Sequence, residues 1–158
     1  MRQKTNFITK SALIAALYVV LTYVSAAFGL ASGAIQLRIS EALTILPMFT
    51  GAAIPGLTAG CIVANLLTGA ALWDVVLGSV ATLLGAIGTY YLGRNKYIAP
   101  IFPIVANTLI IPFVLKTVYG LSEGVWFLAL TVFIGEFISC GVFGVILAGA
   151  IKKTKLFK

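Results

Sequence analysis

The chain has 158 residues, of which 61% are apolar, 9% are charged and none is histidine. Soluble domains are about 45–50% apolar and about 25% charged, so a soluble fold of this size would expose too much apolar surface to stay dissolved. The same composition excludes a disordered chain, a coiled-coil fibre and a disulfide-stapled secreted module. We therefore predict an all-α membrane protein with a single transmembrane domain over 1–158.

The apolar runs predict six transmembrane helices. A helix needs about 20 apolar residues to cross the hydrocarbon core. The first run is uninterrupted and is expected to be a retained span rather than a signal peptide. Two short runs follow, separated at Pro55-Gly56, although together they could form one kinked helix. The predicted spans are about 7–28, 39–50, 55–68, 73–92, 98–119 and 124–151.

The net charge of +7 comes from eleven Lys and Arg residues against four Asp and Glu residues. Nine of the eleven bases lie near the ends of predicted spans, which is typical of cytoplasmic flanks under the positive-inside rule. Six spans place both termini on this cytoplasmic side, and we expect no nucleic-acid partner. The three clusters are Arg2, Lys4 and Lys10, then Arg94 and Lys96, and finally Lys152, Lys153, Lys155 and Lys158.

The sequence offers few groups for metal or cofactor chemistry. Cys61 and Cys140 lie inside apolar runs without the spacing of a metal site, so we expect two small side chains buried in lipid. We predict no disulfide, no metal site and no cofactor. The chain also contains no GxxxxGK[ST] phosphate-binding loop. Driven transport would therefore take its energy from an ion gradient or from another subunit.

Polar residues inside apolar helices are costly and are candidates for function. Glu136 lies near the middle of the last predicted span, and Trp126 and Phe133 share its helix face by spacing. A carboxylate beside two aromatic rings could hydrogen-bond and stack a flat heterocycle. Alternatively, Glu136 is a structural acid that is protonated or paired with a neighbouring helix.

Asn107 lies about as deep in the fifth span as Glu136 lies in the sixth, and it is a candidate ligand contact or an interhelical hydrogen-bonding group. Arg38 and Glu41 are three residues apart at the outer end of the second span. They either pair with each other or line an outward-facing mouth. The further candidates for ligand binding are Asn65, Trp73, Asp74 and Glu123, with helix-terminal or interfacial roles as alternatives for Trp73 and Asp74.

The predicted spans place nearly all of these polar groups in the outer half of the bundle, whereas the inner half is apolar. This asymmetry favours an outward-facing binding pocket above an apolar cytoplasmic plug, and not a continuous pore. Small residues recur at four-residue spacing in Ala12–Ala16, Gly56–Gly60 and Gly144–Ala148, where they would let helices approach closely.

Several segments together resemble the QueT family, a family of S components of energy-coupling factor (ECF) transporters. The likeness covers the whole chain, and Ala12 and Ala16 on the first span add to it. The segments are Gln36-Leu-Arg-Ile-Ser-Glu-Ala-Leu-Thr-Ile-Leu-Pro47, Phe49-Thr-Gly-Ala-Ala-Ile-Pro-Gly56, Asn65-Leu-Leu-Thr-Gly69 and Trp73-Asp74.

The resemblance implies an S-component-like bundle in the bacterial plasma membrane that captures a 7-deazaguanine queuosine precursor such as preQ0 or preQ1. It also implies an EcfT-type membrane coupling protein and two ATPase subunits as partners, with the coupling contact at Ala12 and Ala16. The candidate residues suit such a ligand, because one carboxylate can accept the adjacent N–H donors of a guanine-like edge and aromatic faces can stack the ring.

Three other functions are alternatives to this one. The chain could be an S component for another vitamin, or a stand-alone ion-coupled carrier that uses Glu136 as its proton site. An intramembrane enzyme is the least favoured, because the sequence has no histidine, no nucleophile elbow and no paired acids near the membrane midplane. We therefore predict a transport protein and not an enzyme.

Overall fold

The computed structural model describes residues 2–30 and 37–154, which are helical apart from short connections, with no strand among them. Three helices are long and apolar enough to cross a membrane: Gln3–Ala27, Leu72–Leu92 and the continuous helix Val125–Thr154. The helices are α1 (Arg2–Ala27), a 3₁₀ helix (Ile39–Met48), α2 (Ala53–Leu67), α3 (Leu72–Leu92), α4 (Ile101–Thr117) and α5 (Val125–Glu136), which continues through a π segment (Phe137–Phe143) into α6 (Gly144–Thr154).

The first three helices run up, down and up through the bundle. The Ser11 hydroxyl donates to the carbonyl of Ala52 at 2.9 Å, and the Tyr23 hydroxyl donates to the carbonyl of Leu67 at 3.0 Å. The start of α1 therefore lies beside the start of α2, and the two ends also meet. These two helices are parallel because the 3₁₀ helix between them returns the chain to the starting end.

The 3₁₀ helix occupies the centre of the bundle. Eight of its ten residues are buried, from Ser40 to Pro47. A 3₁₀ helix rises about 2.0 Å per residue, so it covers about 20 Å, well short of the roughly 30 Å hydrocarbon core. The predicted span at 39–50 is therefore found as a protein-enclosed helix rather than a lipid-facing one. Its surroundings are α1, α2, α3, α6 and the π segment.

Glycines allow the helix pairs on either side to pack closely. A Cβ atom on Gly60 of α2 would lie 2.8 Å from the Cβ of Tyr18 on α1, and one on Gly85 of α3 would lie 2.7 Å from the Cα of Pro103 on α4. Real Cβ contacts are essentially never that short, so only glycine fits. The Gly56–Gly60 spacing therefore serves internal packing, as small-residue spacings in membrane helices commonly do.

One end of the bundle is filled by apolar side chains. The apolar base, defined here as Ile14, Leu46, Ala53, Leu57 and Ile151, is buried and forms one contiguous cluster. Since Ile14 belongs to the first half of α1 and Ile151 to the end of α6, both of these segments reach this end of the bundle. That this end faces the cytoplasm, and that the chain crosses the membrane six times, stay predictions.

The predicted boundaries agree with the helices to within a few residues, apart from the first span. Helix α1 already begins at Arg2 instead of about residue 7, and α4 begins at Ile101 after a turn rather than at 98. Gln36, with which the family-like motif begins, and Lys155 and Lys158 of the last basic cluster lie outside the described residues.

Candidate functional site

A polar cavity lies above the apolar base and is enclosed by residues from four α-helices, α2 to α5, and from the start of the 3₁₀ helix. Cys61 lies six residues before the end of α2, and Glu136 lies eleven residues after the start of α5. At 1.5 Å per residue the cavity is about 9–16 Å below that end of the bundle. Its volume is about 20 Å³, room for about one water molecule. The lining residues are Arg38, Glu41, Cys61, Gly78, Thr82, Asn107, Ile111, Val132 and Glu136.

Glu41 projects from the 3₁₀ helix and is only 3% exposed. Its Oε1 accepts a hydrogen bond from the Tyr18 hydroxyl of α1, whereas its Oε2 is buried without a hydrogen-bond partner. The Thr44 hydroxyl donates to the backbone carbonyl of Glu41 at 2.6 Å and steadies this turn. A buried carboxylate oxygen without a partner is rare in folded proteins and therefore marks a position at which a donor would be stabilising.

Glu136 is half-buried at the point where α5 passes into the π segment. Its Oε2 accepts a hydrogen bond from the Cys140 thiol at 3.1 Å, four residues further along. π-helical turns inside α-helices occur frequently at functional sites. Ligand atoms of Glu41, Glu136 and Cys140 all lie within 4.8 Å of one another, so the two carboxyl groups are close enough to share one cation or one protonated amine.

Asn107 contributes the opposite kind of group. Its side chain is 4% exposed and lies beside the Glu136 carboxyl group, but its amide nitrogen Nδ2 has no hydrogen-bond partner within 3.5 Å among the described residues. On the neighbouring wall the Thr82 hydroxyl donates to the carbonyl of Gly78 at 3.0 Å and lies 3.4 Å from the Cys61 sulfur. The cavity therefore presents both an unpaired acceptor and an unpaired donor.

Arg38 and Asp74 lie on the side of the cavity nearer the end of the bundle. The guanidinium Nη1 of Arg38 donates to Oδ1 of Asn65 at 3.3 Å. Asp74 is buried and accepts a hydrogen bond at 2.8 Å from the hydroxyl of Tyr119, in the connection after α4. The structure thus brings together five of the predicted site residues, Arg38, Glu41, Asn65, Asn107 and Glu136, and engages Asp74 in a neighbouring interhelical contact.

The predicted aromatic walls of the site are not found at the cavity. Trp126 is 89% exposed, Trp73 is 63% exposed and Phe133 is 43% exposed, and none of them lines the cavity. Glu123 is also exposed, in the connection before α5. Trp126 and Phe133 lie ten and three residues before Glu136, and at about 100° per residue these spacings turn their side chains about 80° and 60° away from that of Glu136.

The sequence did not indicate four residues at or beside the cavity: Cys61 and Thr82 line it, and Tyr18 and Cys140 hydrogen-bond to Glu41 and Glu136. The two cysteines were expected in lipid, but each is only 1% exposed and faces the protein interior. Cys140 could have been found from its four-residue spacing to Glu136, which puts both side chains on one helix face. Paired acids were not expected either, because Glu41 and Glu136 are distant in sequence and only the buried path of the 3₁₀ helix brings them together.

The small residues of α1 lie on two different faces of the helix. Ser11 and Ala15 pack against α2, where a Cβ atom on Gly56 would lie 2.7 Å from the carbonyl oxygen of Ser11. Ala12 and Ala16 are exposed one residue further round the helix. These two alanines therefore form a flat, uncovered strip on the outside of the described bundle.

Known proteins resemble the chain over most of its length. The family model described as QueT transporter matches residues 8–153. A relative from Lactococcus lactis subsp. cremoris (strain MG1363), named queuosine precursor transporter QueT, is 37% identical over 84 residues, and the chain covers 48% of that relative's length. No solved structure matches the chain. Since the family model spans almost every described residue, including the cavity lining, the chain belongs to the QueT transporter family.

Proposed function

We propose that the chain is the substrate-binding S component of an ATP-driven ECF importer, which captures a 7-deazaguanine queuosine precursor from outside the bacterial plasma membrane. The observation that carries this proposal is the pair of unpartnered buried groups, Glu41 Oε2 and Asn107 Nδ2, at one enclosed cavity of a QueT-family chain. A ligand that supplies both a donor and an acceptor would satisfy them together.

The chemistry of a 7-deazaguanine matches the groups that line the cavity. Its adjacent N1–H and N2–H donors suit one carboxylate, for which Glu136 is available, and its carbonyl oxygen suits the Nδ2 donor of Asn107. The aminomethyl cation of preQ1 would suit Glu41, whose Oε2 has no partner. Arg38 and Asn65 lie next to these groups and would orient the ligand from the outer side.

The volume of the cavity adds a structural requirement. A cavity of about 20 Å³ is far smaller than the roughly 300–1,000 Å³ of ordinary ligand pockets. Binding a bicyclic ring therefore requires the lining side chains or helices to separate. The free-energy cost of that opening would be offset by hydrogen bonds between the ligand and the buried polar groups. The affinity should therefore depend strongly on the arrangement of donors on the ligand.

Ligand titration of the purified chain tests the proposal. Isothermal titration with preQ1, preQ0, queuine, guanine and riboflavin should show binding of at least one 7-deazaguanine and none of riboflavin. Glu136→Gln should weaken that binding about 100-fold, because removing one partner of a buried, hydrogen-bonded charge pair costs about 2–5 kcal/mol of binding free energy. Glu123→Gln, an exposed acid outside the cavity, is the matched control and should bind like the parent chain. Unchanged affinity of Glu136→Gln would remove this residue from the site.

The proposed coupling contact is tested separately at the exposed alanine strip. Ala12→Trp or Ala16→Trp should abolish uptake and copurification of the EcfT-type protein and the two ATPases, while ligand affinity stays within twofold. A bulky ring there would prevent close helix approach from a partner. Val80→Trp, on the exposed face of α3, is the control. Full uptake by both alanine variants would contradict the placement of this contact.

A stand-alone ion-coupled carrier is the second candidate. The proximity of Glu41 and Glu136 favours it, because two close carboxyl groups can release a proton when a cation binds between them. Vesicles that contain this chain alone, with a proton gradient imposed across them, distinguish the two functions. Accumulation of the ligand without ATPase subunits would support the carrier and contradict the S component.

A further inference from the structure

A groove on the outside of the bundle is independent of the polar cavity. It has a volume of about 540 Å³ and lies between the first half of α4 and the long helix formed by α5, the π segment and α6. We call it the lateral groove, and its lining is almost entirely apolar. The residues that define it here are Tyr97, Ile101, Val105, Phe133, Gly141 and Ile146.

The lateral groove follows the middle part of the long helix. Phe133 and Ile146 are thirteen residues apart, a distance of about 20 Å along a helix. The groove begins beside Tyr97, in the connection between α3 and α4, and extends past the depth of Glu136 as far as Phe133. It is therefore long, narrow and directed from the end of the bundle towards its middle, which is the shape of an extended hydrocarbon chain.

The packing of neighbouring helices keeps the groove open. At this level α4 is held against α3, because a Cβ atom on Gly88 would lie 2.8 Å from the Phe102 ring and one on Gly85 would meet Pro103. On the opposite wall Gly141 has no side chain, and the nearest atoms to an added Cβ belong to the Phe137 ring at 3.6 Å. A larger residue at 141 would therefore project towards the groove without meeting backbone.

Two basic residues belong to the connection at the entrance of the groove. The Lys96 ammonium lies 5.0 Å from the centroid of the Tyr97 ring, which lines the groove. Arg94 lies two residues before Lys96. Glu136, midway along the long helix, is the acidic side chain nearest to the groove, and among the described residues no acidic side chain belongs to the connection that carries Arg94 and Lys96.

We propose that the lateral groove binds one anionic phospholipid, with an acyl chain along the apolar lining and the phosphate beside Lys96 and Arg94. Ammonium and guanidinium groups form charge-assisted hydrogen bonds with phosphate, and basic residues at a helix end attract anionic headgroups. The groove's helices α4 and α5 make no substantial contact with α1, which carries the exposed alanine strip. The site is therefore separate from the surface proposed for the coupling protein.

Native mass spectrometry of the purified full chain, titrated with phosphatidylglycerol or phosphatidylcholine of equal acyl length, tests the site. The parent chain should retain one phosphatidylglycerol at concentrations about fivefold lower than phosphatidylcholine. Gly141→Leu, which fills the groove, should lose that bound lipid. Gly149→Leu is the matched control, because it also adds a side chain to an open glycine position of the same helix but outside the groove, and it should retain the lipid.

A charge variant separates specific binding from misfolding. Lys96→Gln should reduce the preference for phosphatidylglycerol to about twofold or less, whereas Lys4→Gln, which removes one exposed charge from α1, should leave it unchanged. Equal retention of both lipids by the parent chain, or retention of phosphatidylglycerol by Gly141→Leu, would overturn the proposal. Loss of the EcfT-type protein from Gly141→Leu with lipid binding intact would instead identify the groove as a protein contact.

Discussion

The polar cavity and the apolar base are adjacent parts of one helical bundle, but they satisfy opposite requirements. In the base, buried apolar side chains from α1, the 3₁₀ helix, α2 and α6 form one cluster. Around the cavity, the 3₁₀ helix and helices α2 to α5 contribute carboxyl, thiol, hydroxyl and amide groups. The bundle therefore places several polar groups around one narrow cavity, where some of their atoms have no hydrogen-bond partner.

Hydrogen bonding shows the difference most clearly. The buried side-chain atoms without a partner are found on Glu41, Ser79, Asn107, Thr108 and Ser139. Each of these residues lines the cavity or is adjacent in sequence to Gly78, Asn107 or Cys140. By contrast, Thr89, a buried polar residue far from the cavity, donates to the carbonyl of Ala99 at 3.0 Å. Among the described residues, the buried polar atoms without a partner thus belong to residues that line the cavity or lie close to it in the chain.

Removing a charge from the cavity should have the largest effect on ligand binding. Glu41→Gln keeps the size of the side chain but weakens its attraction for a donor or an amine, so we expect ligand affinity to fall about 100-fold or more. The Tyr18 hydroxyl can still donate to the amide oxygen, so the melting temperature should change little. Isothermal titration and thermal unfolding of the same sample measure the two effects. A large loss of stability with unchanged affinity would make Glu41 a structural acid.

A cavity created in the apolar base should show the reverse pattern. Leu57→Ala removes a fully buried side chain, and we expect the free energy of unfolding to fall by about 2 kcal/mol or more. Ligand affinity should stay within about threefold, since Leu57 does not line the polar cavity. Denaturant titration in detergent with and without ligand measures both quantities. A loss of affinity as large as that of Glu41→Gln would show that the two regions are not separable.

The smallest effect is expected at the exposed aromatic residue on α5. Trp126→Ala should change ligand affinity by less than twofold and the melting temperature by little, because the indole is 89% exposed and does not reach the cavity. Fluorescence of the remaining Trp73 provides a convenient check that the fold is intact. A tenfold loss of affinity would show that Trp126 contacts the ligand after all.

Apolar run length and charge predicted the helical architecture well, because crossing a hydrocarbon layer fixes both the length and the composition of a helix. The separation of the two short runs is confirmed, although the break falls at residues 49–52 and Pro55-Gly56 belongs to the first turn of α2. What run length could not indicate was that the run at 39–50 forms a buried 3₁₀ helix. An apolar segment has the same composition whether lipid or protein surrounds it.

The candidate site was predicted in part, for a related reason. Cost of burial alone identified Glu41, Asn107 and Glu136, since an intramembrane polar group is expensive wherever it lies. Helix-face spacing also suggested Trp126 and Phe133, which the structure leaves exposed and outside the cavity lining, because periodicity fixes relative directions on one helix but not which direction meets the protein. Cys140 and Tyr18 are less costly to bury than a carboxylate, so their positions in apolar runs did not single them out. Their hydrogen bonds with Glu136 and Glu41 became visible only in the tertiary structure.

The sequence by itself determined that this protein is a helical membrane protein of the QueT transporter family, because composition, run length and local motifs are properties of the chain alone. Only the tertiary structure decided which polar groups meet. Glu41 and Glu136 are 95 positions apart, and the 3₁₀ helix brings them together by passing through the centre of the bundle. Long-range burial of that kind depends on how all the helices pack, and no local pattern encodes it.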